Sequence, residues 1–218
     1  MIKTVLFDLD GTLVDTAPDM AAALDRLCVE QQLQPLPFER VRPVVSNGSI
    51  ALVTLAFGEG LDEQRLASLK QRYLEIYEDA LCILSKPFDG IVGVLDEIDR
   101  RGMNWGVVTN KPGWLTLPLM EKLGLAARAA TIVSGDTTVN RKPHPDPMHH
   151  ACDEAGSEPH QCLYIGDAHR DIEAGRNAGM KTLIATYGYI GEWENIDDWG
   201  ADARIAHPED ILQYLDQT

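Results

Sequence analysis

Two aspartates stand where the chain could first do chemistry. Asp8 and Asp10 lie in Asp8-Leu9-Asp10-Gly11-Thr12, directly after the apolar run Val5-Leu6-Phe7. In an extended chain, residues i and i+2 point to one side, so the two carboxylates share a crevice, and Gly11 permits a sharp exit. Adjacent carboxylates repel. They share a proton or hold a cation, and either arrangement sets up distinct roles for the two. Alone, the pair is equally compatible with a solvated turn. A second acidic pair shifts the balance. Gly166-Asp167 ends another apolar run and Asp171 follows four residues later, so a helical turn opening at Asp167 would project both acids to one side. By themselves these two also read as an N-cap and a first-turn acid. Up to four carboxylates in one crevice are tolerable only around a hard cation, and an oxygen-only, partly open site fits Mg²⁺.

Thr109-Asn110 supplies a hydroxyl, an amide and backbone N–H groups where a helix begins, a seat for phosphate oxygens as well as a cap for the helix after Pro112. Lys142, in Arg141-Lys142-Pro143-His144-Pro145, is a loop cation stiffened by prolines. Its ordinary reading is a surface lysine, but a phosphoryl group among carboxylates needs a fixed positive charge besides the metal. His149-His150 falls in a helical pattern and reads as surface. His144 lies near Lys142, but no step of this chemistry needs a histidine. No Ser-His-Asp order, Walker loop or zinc motif is present.

These residues need elements to position them. Short apolar runs at 5–7, 105–108, 131–133, 162–165 and 181–186, with a possible edge strand at 203–206, are continuous rather than alternating, as in strands buried on both faces. Helical patterns at 92–101, 117–123 and 146–154 fill the gaps, which predicts an α/β fold with a parallel sheet wrapped by helices. Ligands of such sheets sit beyond the carboxyl ends of the strands, and those ends carry Asp8, Thr109, Asn110 and Asp167. Residues 15–85 differ: helical patterns at 19–31, 38–44, 49–57 and 62–84, and no convincing strand. The expected organisation is a Rossmann-like core of 1–14 and 86–218, with 15–85 inserted after the first strand as a helical cap.

The chain has 218 residues, 44% hydrophobic and 24% charged, with 19 Lys+Arg against 34 Asp+Glu and a formal charge of −15. That composition is ordinary globular, and so acidic a surface repels phosphate backbones and anionic lipid, which argues against nucleic-acid and membrane partners. No stretch approaches ~18 uninterrupted apolar residues, and Asp8 and Asp10 come too soon for a signal peptide. Cys28, Cys82, Cys152 and Cys162 are scattered and read as thiols of a reducing compartment, which predicts a cytoplasmic protein. A monomer or small homo-oligomer is expected.

The ordered set of Asp8 to Thr12, Thr109-Asn110, Lys142-Pro143 and Gly166 to Asp171 resembles the haloacid dehalogenase (HAD) superfamily of phosphatases over almost the whole chain. The stretch 15–85 is similar to the cap of its phosphoglycolate-phosphatase-like branch. The resemblance implies a Mg²⁺-dependent phosphomonoesterase. Asp8 would be the nucleophile forming an aspartyl-phosphate, and Asp10 the acid and then the base. Thr109 and Asn110 would hold phosphoryl oxygens, and Lys142 would balance charge. Asp8, the Asp10 carbonyl and Asp167 would hold Mg²⁺, with Asp171 acting through water or by orienting those ligands.

Dehalogenases of the superfamily lack the second acid, so Asp10 favours phosphate esters. Phosphonate-cleaving relatives use a cap lysine, and 15–85 holds only Lys70. A phosphosugar mutase, or a non-catalytic phospho-ligand sensor, stays open. The substrate is expected to be a small phosphorylated metabolite, because a closing cap encloses little volume. Arg42 to Gly48 resembles the place of a Gly-Asn-Gly turn in phosphoglycolate phosphatases, with Ser46 replacing the first glycine. Arg42 and Asn47 are expected to contact the leaving group; a helix–helix turn with Asn47-Gly48 at positive φ is the competing reading. The tail from Tyr187 to Asp202 is similar to a bacterial subgroup that dephosphorylates N-acetylmuramic acid 6-phosphate. Trp193 and Trp199 there would line a sugar pocket or pack against the core.

Overall fold

A computed structural model describes residues 1–216. Along the chain the elements are β1 (Thr4–Phe7), β2 (Val14–Asp15), α1 (Ala17–Glu30), α2 (Phe38–Val41), a 3₁₀ turn over Arg42–Asn47, α3 (Gly48–Phe57), α4 (Glu63–Asp79) and β3 (Lys86–Pro87). There follow α5 (Ile91–Arg100), β4 (Asn104–Val108), α6 (Gly113–Lys122), β5 (Thr131–Val133), α7 (Asp146–Ala155), β6 (Cys162–Gly166), α8 (His169–Asn177), β7 (Lys181–Ala185) and β8 (Ala203–Ile205).

Six strands form one parallel sheet in the order β5-β4-β1-β6-β7-β8. All residues of β1 and β6 are buried, which is why their sequences run apolar without alternating. Register then places the chemistry. Phe7 pairs with Val107 on one side and Ile165 on the other, so the three central strands end level. Asp8, Thr109 and Asp167 therefore leave the sheet side by side at its carboxyl edge.

Val14–Asp15 and Lys86–Pro87 pair antiparallel, Val14 with Pro87 and Asp15 with Lys86. The two crossings between the sheet and the helical stretch thus run together as a short ribbon. Between them, Leu24 and Leu27 of α1 and Tyr73, Ile76 and Tyr77 of α4 are fully buried in one continuous apolar cluster with the sheet. Among the described residues no helix is long and apolar enough to cross a membrane.

Three element boundaries differ from the sequence expectation. The pattern at 62–84 predicted a longer helix than α4, which stops at Asp79. Cys82 takes φ +62, and the Asp19 carboxylate accepts the N–H groups of Ile83, Leu84 and Ser85 at 2.8–3.0 Å plus the Ser85 hydroxyl at 2.6 Å. A buried carboxylate collecting charge-assisted bonds outweighs another turn of helix. The pattern at 38–44 splits into α2 and the 3₁₀ turn, with Pro43 in the first turn of the latter. Helix α6 begins at Gly113, directly after Pro112 where a helix was expected but four residues ahead of the apolar pattern that starts at 117, and it carries Pro118 inside it.

Candidate active site

Lys142 is the centre of the site. Its ammonium, almost wholly buried, lies 2.8 Å from Asp8 Oδ1, 2.7 Å from Asp171 Oδ1, 2.8 Å from the Val108 carbonyl and 2.8 Å from the Tyr164 hydroxyl. Tyr164 gives its own proton to the Val108 carbonyl at 2.9 Å. Three ammonium protons thus serve four acceptors, all of them fixed by β1, β4, β6 and α8. The lysine that reads as a surface residue in sequence is a buried strut. The second oxygen of Asp171 accepts the Ala168 N–H at 3.0 Å, closing the start of α8. Helix α8 therefore opens at His169, two residues after Asp167.

Asp167 accepts the Thr12 hydroxyl at 3.0 Å on Oδ1; on Oδ2 it accepts the Tyr189 N–H at 2.9 Å and the Ser46 hydroxyl at 2.8 Å. Glycine at 11 is required by this approach. Its φ is +92, and a Cβ there would stand 2.2 Å from Asp167 Oδ2. The Asp10 side chain turns away from this group. Its Oδ1 accepts the Thr16 hydroxyl at 2.7 Å and the Lys111 ammonium at 2.9 Å. Lys111 also reaches the Tyr77 hydroxyl of α4 at 3.0 Å and lies 4.5 Å from that ring's centroid. The Asp10 carbonyl, by contrast, faces Ser46 Oγ at 3.4 Å.

Thr109 Oγ1 accepts the Lys111 N–H at 3.1 Å, and the Asn110 amide donates to the Lys142 carbonyl at 2.9 Å. Asn110 Oδ1 is buried without a partner. Arg42 donates to the carbonyls of Gly188 at 3.0 Å and Tyr187 at 3.1 Å, over the Tyr189 ring. Asn47 is exposed and lines an open groove with Val44, Ile50 and Thr54, with no hydrogen bond to the carboxylates. Only Gly48, not Asn47, takes positive φ. His144 is exposed beside Asp146. Trp199 is buried against Ile172 and Ile184, whereas Trp193 stands 65% exposed. Sequence reasoning gave no role to Lys111, although it follows Thr109-Asn110 directly, nor to Thr12, Arg170 and Tyr189, although they lie inside stretches it singled out; Thr16 and Tyr164 carry no local signal.

A family model described as "Haloacid dehalogenase-like hydrolase" matches residues 5–185, a span that contains every residue of the carboxylate group. The chain belongs to the haloacid dehalogenase-like hydrolases. It is 44% identical over 216 residues to a Pseudomonas aeruginosa protein named N-acetylmuramic acid 6-phosphate phosphatase, covering 99% of this chain and 96% of the other. It is 40% identical over 206 residues to a Xylella fastidiosa protein named phosphoglycolate phosphatase, covering 94% and 90%. Among solved structures it resembles one described as a predicted phosphoglycolate phosphatase from Haemophilus somnus 129PT, with a TM-score of 0.86, 28% identity and coverage of 98% and 97%.

In this hydrolase, Asp8, Asp167 and Asp171 each offer an oxygen within 4.8 Å of the others. Burial raises the Asp8 carboxyl to about 6, with Asp171 adding to it and Lys142 and Arg170 opposing. Burial likewise raises Asp167 to about 7, helped by Asp8 and Asp171 and opposed by the Tyr189 N–H and Ser46. For Lys142, burial pulls the other way, yet Asp171 and Asp8 together hold its pKa above the usual lysine value. Lys142 and Arg170 set two cations against three buried acids, one positive charge short. The donor set is all oxygen, and Asp8 Oδ2 accepts no hydrogen bond from the described residues. The group therefore fits a hard divalent cation.

Proposed function

We propose that this phosphoric monoester hydrolase transfers the phosphoryl group of a small metabolite to Asp8 and then to water. An oxygen of Asp8 forms the new P–O bond as the ester P–O bond breaks, and Asp10 gives its proton to the departing alkoxide. The Asp10 carboxylate then takes a proton from water, whose oxygen attacks phosphorus, freeing inorganic phosphate and Asp8. Thr109 and the backbone N–H of Asn110 hold phosphoryl oxygens, because the Asn110 amide is already spent on the Lys142 carbonyl. Lys142 fixes Asp8 and balances its charge. Asp8, Asp167 and the Asp10 carbonyl hold Mg²⁺, with Asp171 orienting the set through Lys142; the ion supplies charge neutralisation for the phosphoryl oxygens.

The observation that carries this reading is the pairing of two neighbouring acids with separate cations, Asp8 with Lys142 and Asp10 with Lys111, at 2.8 and 2.9 Å. One acid is buried to be a fixed nucleophile and the other kept nearer solvent to exchange protons. Residues 15–85 act as a cap carried on the β2–β3 ribbon over a core of 1–14 and 86–218. The free thiols suit a cytoplasmic enzyme.

For the substrate, N-acetylmuramic acid 6-phosphate comes first, supported by the name of the Pseudomonas relative at 44% identity over almost the whole chain. Phosphoglycolate is the second reading, supported by the Xylella relative's name. Phosphate release with Mg²⁺ from these two and from glucose 1- and 6-phosphates tests both. A kcat/KM at least about a hundredfold above the rest, ~2.7 kcal/mol in transition-state binding, names the substrate. Interconversion of the glucose phosphates without net release would point instead to a mutase, and no turnover at all to a sensor.

A further inference from the structure

The 3₁₀ turn Arg42–Asn47 is fastened to the surroundings of Asp167 through Arg42 at its start and Ser46 near its end. Arg42 holds the carbonyls of Tyr187 and Gly188 and covers the ring of Tyr189, whose N–H donates to Asp167 Oδ2. The Ser46 carbonyl accepts from Arg170, the neighbour of Asp171. The Ser46 hydroxyl has a single proton and two acceptors in reach, Asp167 Oδ2 at 2.8 Å and the Asp10 carbonyl at 3.4 Å. The shorter, charge-assisted bond takes it. A glycine or alanine at 46 would leave Asp167 Oδ2 with the Tyr189 N–H alone.

We propose that Ser46 is a positioning residue whose hydroxyl fixes the Oδ2 side of Asp167 and makes the docking of the helical stretch depend on that carboxylate. The turn then sits down on an intact acid group, and a single side chain links the helical stretch to the residue that closes the metal site. The inference rests on the phosphatase reading only for its effect on turnover; the docking itself needs no substrate. Arg42, spent on backbone carbonyls, belongs to the same clasp.

The test is hydrogen–deuterium exchange of the full-length protein without substrate, in wild type, Ser46→Ala and Ser46→Thr. In Ser46→Ala the amides over 42–57 should exchange at least about fivefold faster while those of β1, β4 and β6 keep their rates, because local opening is governed by the bonds that hold that segment down. Ser46→Thr, which keeps the hydroxyl, should return to within about twofold of wild type. Unchanged exchange over 42–57 in Ser46→Ala overturns the proposal. So does an acceleration that Ser46→Thr shares in full, since position 46 would then act through packing. In turnover, Ser46→Ala should lower kcat with KM little changed, because it loses the orientation of Asp167 rather than a substrate contact; a change in KM alone contradicts this. The expected exchange pattern in a protein that releases no phosphate would sink the phosphatase reading and leave the clasp standing.

Discussion

The Lys142 ammonium stands 2.8 Å from Asp8 and 2.7 Å from Asp171, with all three side chains 5% exposed or less. An ion pair so far from water is costly to break from one side, since removing one partner leaves charges buried and unpaired. Lys142→Met should therefore lose about 3–5 kcal/mol of stability in urea unfolding. Its phosphate release should fall by about 10²–10³-fold, the scale of losing one fixed stabilising group at a developing anion. Wild-type turnover in a folded Lys142→Met would remove this residue from the chemistry.

Asp10→Asn keeps the shape of the side chain beside Thr16 and Lys111 and removes the exchangeable proton. Turnover should drop by about 10²–10⁴, while binding of a substrate or of inorganic phosphate, measured calorimetrically, persists. Full activity in this variant would mean that the leaving group is protonated by something else.

The metal-free protein should lose stability as pH rises. Asp167 titrates at about 7 and Asp8 at about 6 in the fold, both above the ordinary 3.8. Between the ordinary value and these, the folded state binds more protons than the unfolded one, so unfolding becomes easier as pH increases through the window. From pH 5 to 8 the contribution of Asp167 is on the order of 2–3 kcal/mol, at 1.36 kcal/mol per pH unit up to its titration point. Melting curves of wild type and Asp167→Asn in EDTA check this: the variant should lose less over that range. Mg²⁺ should flatten the wild-type slope, since it favours ionised ligands. Equal slopes in wild type and variant would contradict the burial of Asp167 as the cause.

Much of this was legible in the chain because the chemistry sits where apolar runs stop. Five buried strands announced themselves as short, mostly apolar runs that do not alternate, and the polar residues just beyond the runs at 5–7, 105–108, 131–133 and 162–165 marked the carboxyl edge of the sheet. Asp8, Thr109 and Asp167 were thereby placed together by pattern alone. Depth was not legible. Nothing in Arg141-Lys142-Pro143 distinguishes a surface lysine from a strut, because what buries Lys142 is Tyr164 and Asp171, brought by β6 and α8. Ser46 reaches Asp167 across 121 positions and Lys111 reaches Tyr77 across 34, contacts set by how the helical stretch docks. The expectation that Arg42 and Asn47 face the leaving group came from position in the sequence. The guanidinium is bonded to the loop at 187–188, and Asn47 lines the open groove.

Asp19 carries a stability prediction. It holds the return of the helical stretch by four hydrogen bonds to residues 83–85. Asp19→Ala strands three N–H groups and should cost about 3 kcal/mol in unfolding experiments. Faster exchange should be confined to the segment between α4 and β3. A cost under about 0.5 kcal/mol, typical of a neutral surface change, would show that water replaces the carboxylate.

The measurement that tests the central claim most directly is acid quench of the reaction during turnover with Mg²⁺, followed by mass spectrometry of the peptide containing Asp8. A transient gain of one phosphoryl group on Asp8 in the wild type, absent in Asp8→Asn together with turnover, is the predicted result. Continued phosphate release by Asp8→Asn, or turnover in the wild type with the phosphoryl group on another residue, would contradict it.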